Sequence, residues 1–169
     1  MITHTVSKLP NVGTTIFSVM SALAAEHGAI NLSQGFPNFD CDDRLKELVY
    51  RHMKAGHNQY APMPGLPALR DALAAKVRNL YGTQVDPETE ITVTAGATQA
   101  LFTAISAFVR PGDEVVLIEP AYDSYQPAVE LNGGRVVSYE LQAPDYRVDW
   151  PAFGRLLSPH TRMIIINSP

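Results

Sequence analysis

The chain has 169 residues, 46% of them hydrophobic and 18% charged, with a formal net charge of −4 and a single cysteine. That length allows one domain with a real core, the charge argues against a general nucleic-acid binder, and the lone Cys41 excludes an internal disulfide or a multi-cysteine metal site. No apolar run approaches the ~20 residues of a membrane span, and Met1 to Lys8 lack the apolar core of a signal peptide; a soluble, cytoplasmic protein is the simplest reading.

Residues 1–13 are polar and irregular and end in Pro10-Asn11-Val12-Gly13, the pattern of an extended arm. From Thr15 the apolar residues Ile16, Phe17, Val19, Met20, Leu23 and Ala24 recur at helical spacing, and Gly28 is a good stop. The segment Ile30 to Asp40 is too irregular for an element and too rich in aromatics for an idle linker. Cys41 sits between Asp40 and the pair Asp42 and Asp43, an acidic setting unlike the electropositive one of a reactive thiol. A second helix is expected over about Asp43 to Ala55, carrying Leu45, Leu48, Val49 and Met53 inward and ending at Gly56. His27, His52 and His57 are not at metal-ligand spacing and are expected to face solvent; no metal site is expected.

The loop His57 to Gly65 contains two prolines and a glycine that fix its path, so its groups can be held at defined positions. A third helix over roughly Pro67 to Tyr81 has Leu66, Leu69, Leu73, Val77 and Leu80 on one face and Gly82 behind it. Asp86-Pro87-Glu88-Thr89 reads as a turn into a strand, Glu90 to Thr94. One glycine, Gly96, then makes a turn, and a helix follows over Thr98 to Val109. Strand, tight turn and helix N-terminus together leave unpaired amides and partial positive charge. Such a turn can bind an anion, most often a phosphate; it can equally be an ordinary βα turn.

Beyond it the pattern is regular. A strand over Glu114 to Ile118 ends at Glu119-Pro120-Ala121-Tyr122, and a helix over Ser124 to Leu131 leads to Asn132-Gly133-Gly134. A strand over Arg135 to Leu141, a short helix around Pro151 to Leu157 and a strand over Arg162 to Ile166 complete the series. Continuously apolar strands alternating with helices give an α/β fold, a three-layer α/β/α arrangement with a mainly parallel sheet, preceded by the arm and first helix. Ligands of such sheets bind beyond the carboxyl ends of the strands. That edge gathers Gly96-Ala97-Thr98, Glu119 to Tyr122 and Asn167-Ser168-Pro169. Natural domains seldom stop on an apolar central strand, so the chain is expected to be a truncated piece of something larger.

Five stretches, in this order and at this spacing, resemble the N-terminal part of the class I/II aminotransferases, the fold-type-I enzymes dependent on pyridoxal 5'-phosphate. They are Asn31 to Pro37, Asn58-Gln59-Tyr60 followed by Pro64-Gly65, Thr92 to Leu101, Pro111 to Val115, and Glu119 to Tyr125. The resemblance is nearest to bacterial methionine aminotransferases and to kynurenine or glutamine aminotransferases, and it covers essentially the whole chain. It implies that residues 1–40, the arm and first helix, are part of a small domain, and that 41–169 are the N-terminal part of the cofactor-binding large domain.

The resemblance also implies site residues. Gly96, Ala97 and Thr98 match the phosphate cup, Tyr122 the aromatic stacked on the pyridine ring, and Tyr60 a tyrosine that reaches the phosphate of the neighbouring subunit of a homodimer. Gly35 matches the residue whose amide touches the substrate carboxylate. Phe17 stands where relatives place an aromatic lining the side-chain pocket, and Phe36 is expected to add to it; with Tyr60 they favour methionine or aromatic amino acids as donors to a 2-oxo acid. Each has a plainer reading: Tyr122 or Phe17 as core aromatics, Tyr60 as a surface tyrosine.

No catalytic residue is expected in this chain. The family's Schiff-base lysine must lie at the cofactor, since proton transfer needs hydrogen-bond reach. Lys8 is in the arm, and Lys46, Lys54 and Lys76 lie on helices before the phosphate turn. The family's lysine lies beyond Pro169, so the parent protein is expected to be a transaminase and the isolated chain inactive. Two alternatives remain: a non-catalytic fragment, and another α/β nucleotide-cofactor enzyme such as a methyltransferase or dehydrogenase, with Glu119 on the ribose. The latter needs a glycine-rich turn, and this one has a single glycine.

Overall fold

A computed structural model of the chain describes residues 6–35 and 37–167. Its elements in order are α1 (Ile16–Glu26), α2 (Asp43–Lys54), α3 (Pro67–Tyr81), α4 (Ala97–Phe108), β1 (Glu114–Glu119), α5 (Tyr125–Leu131), β2 (Arg135–Glu140), α6 (Trp150–Gly154) and β3 (Thr161–Ile165). The chain separates into two compact units, one formed by residues up to Val19 together with those from Ala95 onward, the other by Met20 to Thr94.

In the first unit the sheet has the order β2-β1-β3, with β1 parallel to both neighbours. β1 is central and apolar: Val115 and Val116 are fully buried. Parallel neighbours cannot be joined by hairpins, so each connection crosses over through a helix. Ile105 of α4, its C-cap Val109, and Tyr125, Ala128 and Val129 of α5 form one core with Val115, Leu117 and Ile165. On the opposite face, Tyr139 of β2 meets Phe153 of α6 edge-on, with ring centroids 5.3 Å apart. The expected α/β/α layering is therefore present.

The amino edge of this sheet is tied down by polar contacts. Glu114 is buried, accepting a hydrogen bond from Ser158 Oγ at 2.7 Å and one from Arg135 Nη2. The Ser158 bond, then the Arg135 charge and hydrogen bond, hold the Glu114 carboxyl below its ordinary value. Asp113 is lowered as well, chiefly by accepting the Arg110 N–H. Gly134 precedes β2 where the chain runs against α4: a Cβ there would lie 2.5 Å from Val109 Cγ1, an overlap that requires glycine.

In the second unit, caps account for the helix ends. Asp42 Oδ1 accepts from Arg44 N–H at 2.8 Å at the start of α2. α3 begins on Pro67 and stops at Gly82, whose φ is 69°. Arg70 of α3 is buried and donates through Nη1 to Pro87 O at 2.8 Å and through Nη2 to Glu88 Oε1 at 3.2 Å.

Two expectations fail. Glu90 to Thr94 is not a strand: Val93 N–H donates to Pro64 O at 2.9 Å instead of to a neighbouring strand. β-branched residues supply propensity, but a strand exists only through ladder pairing, and the described sheet contains β1, β2 and β3 without this segment. On the apolar side of α2 Leu48 is half-buried, but Leu45, Val49 and Met53 are not turned inward, being 54%, 54% and 58% exposed. Amphipathic spacing defines an apolar face without supplying the surface that would cover it.

The lowered Glu114 pKa makes a directional prediction. A carboxylate depressed by folding stabilises the native state above its unfolded pKa of about 4.3, and that contribution disappears as pH falls through the lower folded value. Urea midpoints measured from pH 7 to pH 3 should fall less steeply on the acid side for Glu114→Gln than for the wild type, and the variant should be less stable at pH 7.

Candidate functional site

The carboxyl ends of β1, β2 and β3 share one edge, since all three run the same way and Glu119 pairs with Glu140 and Leu117 with Ile165. α4 reaches that edge by its start. Its C-cap, Val109, lies over Gly134 at the opposite, amino edge, and 12 helical residues span about 18 Å. Gly96, Ala97 and Thr98 therefore lie at the same edge as Glu119 to Tyr122.

The turn has the features of an anion cradle. Gly96 is the N-cap with φ 87° and ψ 169°, a region essentially closed to other residues. No atom would meet a Cβ there within 4 Å, so the space in front of the turn is open. Gln99, the third helical residue, reaches back and accepts the Ala95 N–H at 2.5 Å. The Ala97 and Thr98 amides, which cannot have an intrahelical acceptor, have no partner among the described residues, and both residues are exposed. The first turn of α4 carries no acidic side chain, so nothing opposes the positive end of the helix dipole. A phosphate fits this turn.

Tyr122 follows β1 and the cis peptide Glu119-Pro120. It is 48% exposed, with its ring edge-on to Tyr125 at 6.0 Å. It lines a cleft of about 310 Å³ with Leu117, Glu119, Ala121 and Gln126, and with Asn11 and Val12 of the arm. An accessible aromatic lining a cleft can take a flat ring against its face. Glu119 accepts the Ser138 hydroxyl at 3.0 Å.

The remaining expected residues are on other segments of the chain. Tyr60, in the second unit, is 100% exposed. Gly35 of that unit is exposed, and a Cβ added to it would meet nothing within 4 Å. Phe17 is half-buried on α1. Phe36 falls outside the described residues, as do Ser168 and Pro169. The turn and Tyr122 are thus gathered on one edge within one unit, while Tyr60 and Gly35 belong to the other. Sequence reasoning missed Gln99, though a glutamine at the third helical position is a capping signal. It also missed Asn11 and Val12, whose irregular context offers no periodic signal.

The lysines are distributed as the sequence suggests. Lys46 of α2 is paired with Asp40 at 2.5 Å and Asp43 at 2.8 Å, and Lys54 lies over the Tyr50 ring. Lys76 is on α3 and Lys8 in the arm. None stands on β1, β2, β3 or the loops at their carboxyl ends. Among the described residues no helix is long and apolar enough to cross a membrane, and no group of three or more His, Cys, Asp and Glu could hold a metal.

Gly96→Ala should force a side chain into a backbone region that costs about 1–3 kcal/mol, without any steric overlap to relieve. Urea unfolding should show that loss, and phosphate binding should weaken with it; an unchanged midpoint would mean that the turn does not depend on the positive φ.

Comparison with known proteins places these features in context. A family model described as aminotransferase class I and II matches residues 27–169. The chain is 58% identical over 163 residues to a methionine aminotransferase of Escherichia coli, an alignment covering 96% of this chain and 42% of the relative. It is 47% identical over 168 residues to a probable N-succinyldiaminopimelate aminotransferase of Mycobacterium tuberculosis, covering 98% of this chain and 42% of the relative. A solved Escherichia coli structure, for which a methionine aminotransferase function was identified, superposes with a TM-score of 0.92 at 56% identity, over 96% of this chain and 42% of that one. The chain thus spans less than half the length of these relatives.

Proposed function

This chain belongs to the aminotransferase class I and II family, and from that premise we propose that the whole protein is a transaminase that moves an amino group from an amino acid to a 2-oxo acid. The family depends on pyridoxal 5'-phosphate. When bound, that cofactor supplies an aldehyde that takes up the amino group and a conjugated ring that accepts negative charge from the substrate.

What supports the reading most directly is the open Gly96 turn with the Ala97 and Thr98 amides exposed at the start of α4. In this account Gly96, Ala97 and Thr98 hold the phosphate through main-chain donors and the helix dipole, which needs no charged side chain. Gly96 is required because only its conformation turns successive amides toward one point. Tyr122 covers a face of the ring and fixes its plane, so that the bond to be broken lies across the π system; its half-exposed ring beside a cleft supports this role. Gln99 occupies the Ala95 amide, while the Ala97 and Thr98 amides serve the phosphate.

Tyr60 serves the phosphate of a partner subunit in a homodimer, a role supported by its complete exposure within its own chain. The Gly35 amide contacts the substrate carboxylate, and Phe17 and Phe36 line the side-chain pocket, favouring methionine or aromatic donors. The high identity to a methionine aminotransferase supports that preference. Residues 1–40 belong to a small domain and 41–169 to the cofactor-binding domain, and the enzyme works in the cytoplasm.

The 169 residues alone are inactive in this account. The reaction requires a lysine within reach of the cofactor, and Lys8, Lys46, Lys54 and Lys76 lie in the arm, α2 and α3. Treating the chain with pyridoxal phosphate and borohydride should give no stoichiometric lysine adduct by peptide mass mapping; a single stoichiometric adduct would refute the assignment. For the full-length protein, single-turnover absorbance with methionine, phenylalanine and aspartate should rank aspartate last, and aspartate reacting fastest would reject the proposed pocket.

A further inference from the structure

Tyr60 has no hydrogen bond or ring contact of its own among the described residues, and both it and Met63 are almost wholly exposed, at 100% and 95%. Its position is therefore set by the backbone of the loop between α2 and α3. That loop is fastened at two places. Near its start, Asn58 Nδ2 donates to Met53 O at 2.9 Å, closing the loop onto the end of α2. At its end, Gly65 N–H donates to Pro62 O at 2.8 Å and Val93 N–H donates to Pro64 O at 2.9 Å.

The second fastening is unusually close. Gly65 is buried with φ 106°, and a Cβ on it would lie 2.5 Å from Val93 Cγ2 and 2.8 Å from Val93 Cβ. No other residue can occupy this position without moving the loop or the segment that carries Val93. Val93 is also three residues before Gly96 in the chain, so the segment leading to one phosphate turn is the one that anchors the Tyr60 loop.

We propose that Gly65 and Val93 are positioning residues for Tyr60: the bond from Val93 N–H to Pro64 O and the close packing of Gly65 on Val93 hold the loop so that the Tyr60 hydroxyl meets the cofactor phosphate of the partner subunit. The inference rests on the reading of Tyr60 given above. A purely structural role would lower stability without depending on the Tyr60 hydroxyl, whereas a positioning role must act through it.

A double-mutant cycle on the full-length protein separates the two, with pyridoxal phosphate affinity read by absorbance titration of the apoenzyme and folding checked by thermal melting. Tyr60→Phe removes a hydrogen bond to a charged group and should weaken binding roughly ten-fold or more. Gly65→Ala should weaken it to a similar extent, and Gly65→Ala with Tyr60→Phe should be no weaker than the worse single variant. If the two losses multiply, Gly65 does not act through Tyr60 and the proposal fails while the reading of Tyr60 stands. If Tyr60→Phe leaves affinity unchanged, that reading fails and the proposal with it. Should Gly65→Ala not fold, Val93→Ala, which removes both Cγ methyls including the one against Gly65, decides by the same cycle.

Discussion

The parallel pairing of β1 with both neighbours is the constraint on which the first unit depends. A strand flanked on both sides by parallel partners is buried on both faces, and Val115, Val116 and Leu117 meet that demand with at most 2% exposure. Each crossover must then be a helix that returns along the sheet, so that helix starts and strand ends collect at one edge. The Glu114, Arg135 and Ser158 contacts close the other edge. Structure is concentrated at the amino edge, and open amides and an accessible tyrosine at the carboxyl edge.

Much of this fold is legible from the residues. α3 runs over Pro67–Tyr81 as its N-terminal proline, apolar spacing and following Gly82 indicate, because each signal is local. The strands β1 to β3 are readable because double-sided burial requires unbroken apolar runs. The segment Glu90 to Thr94 misleads for a related reason: it has a strand's composition, yet pairing is non-local and it is not one of the described strands. The α2 face of Leu45, Val49 and Met53 is likewise readable as a face but not as a buried one.

The candidate site was partly legible. A single glycine between a β-branched run and a helix marks the turn, and the structure adds the conformation of Gly96 and the return of Gln99 onto Ala95. Asn11 and Val12 beside Tyr122 could not be read, because an arm without periodicity carries no indication of where it lies. The Gly65 contact with Val93 could not be read either, since it joins residues 28 positions apart through steric fit. The resemblance to aminotransferases gave roles to residues whose types alone are uninformative, Tyr60 above all.

The central claim is that the turn at Gly96 seats the cofactor phosphate beneath a ring covered by Tyr122. A crystal structure of the full-length protein grown with pyridoxal phosphate tests it most directly. The account predicts phosphate oxygens within hydrogen-bond distance of the Ala97 and Thr98 amides and the Tyr122 ring stacked on the pyridine. A phosphate bound away from the start of α4, or a pyridine ring not in contact with Tyr122, would contradict it.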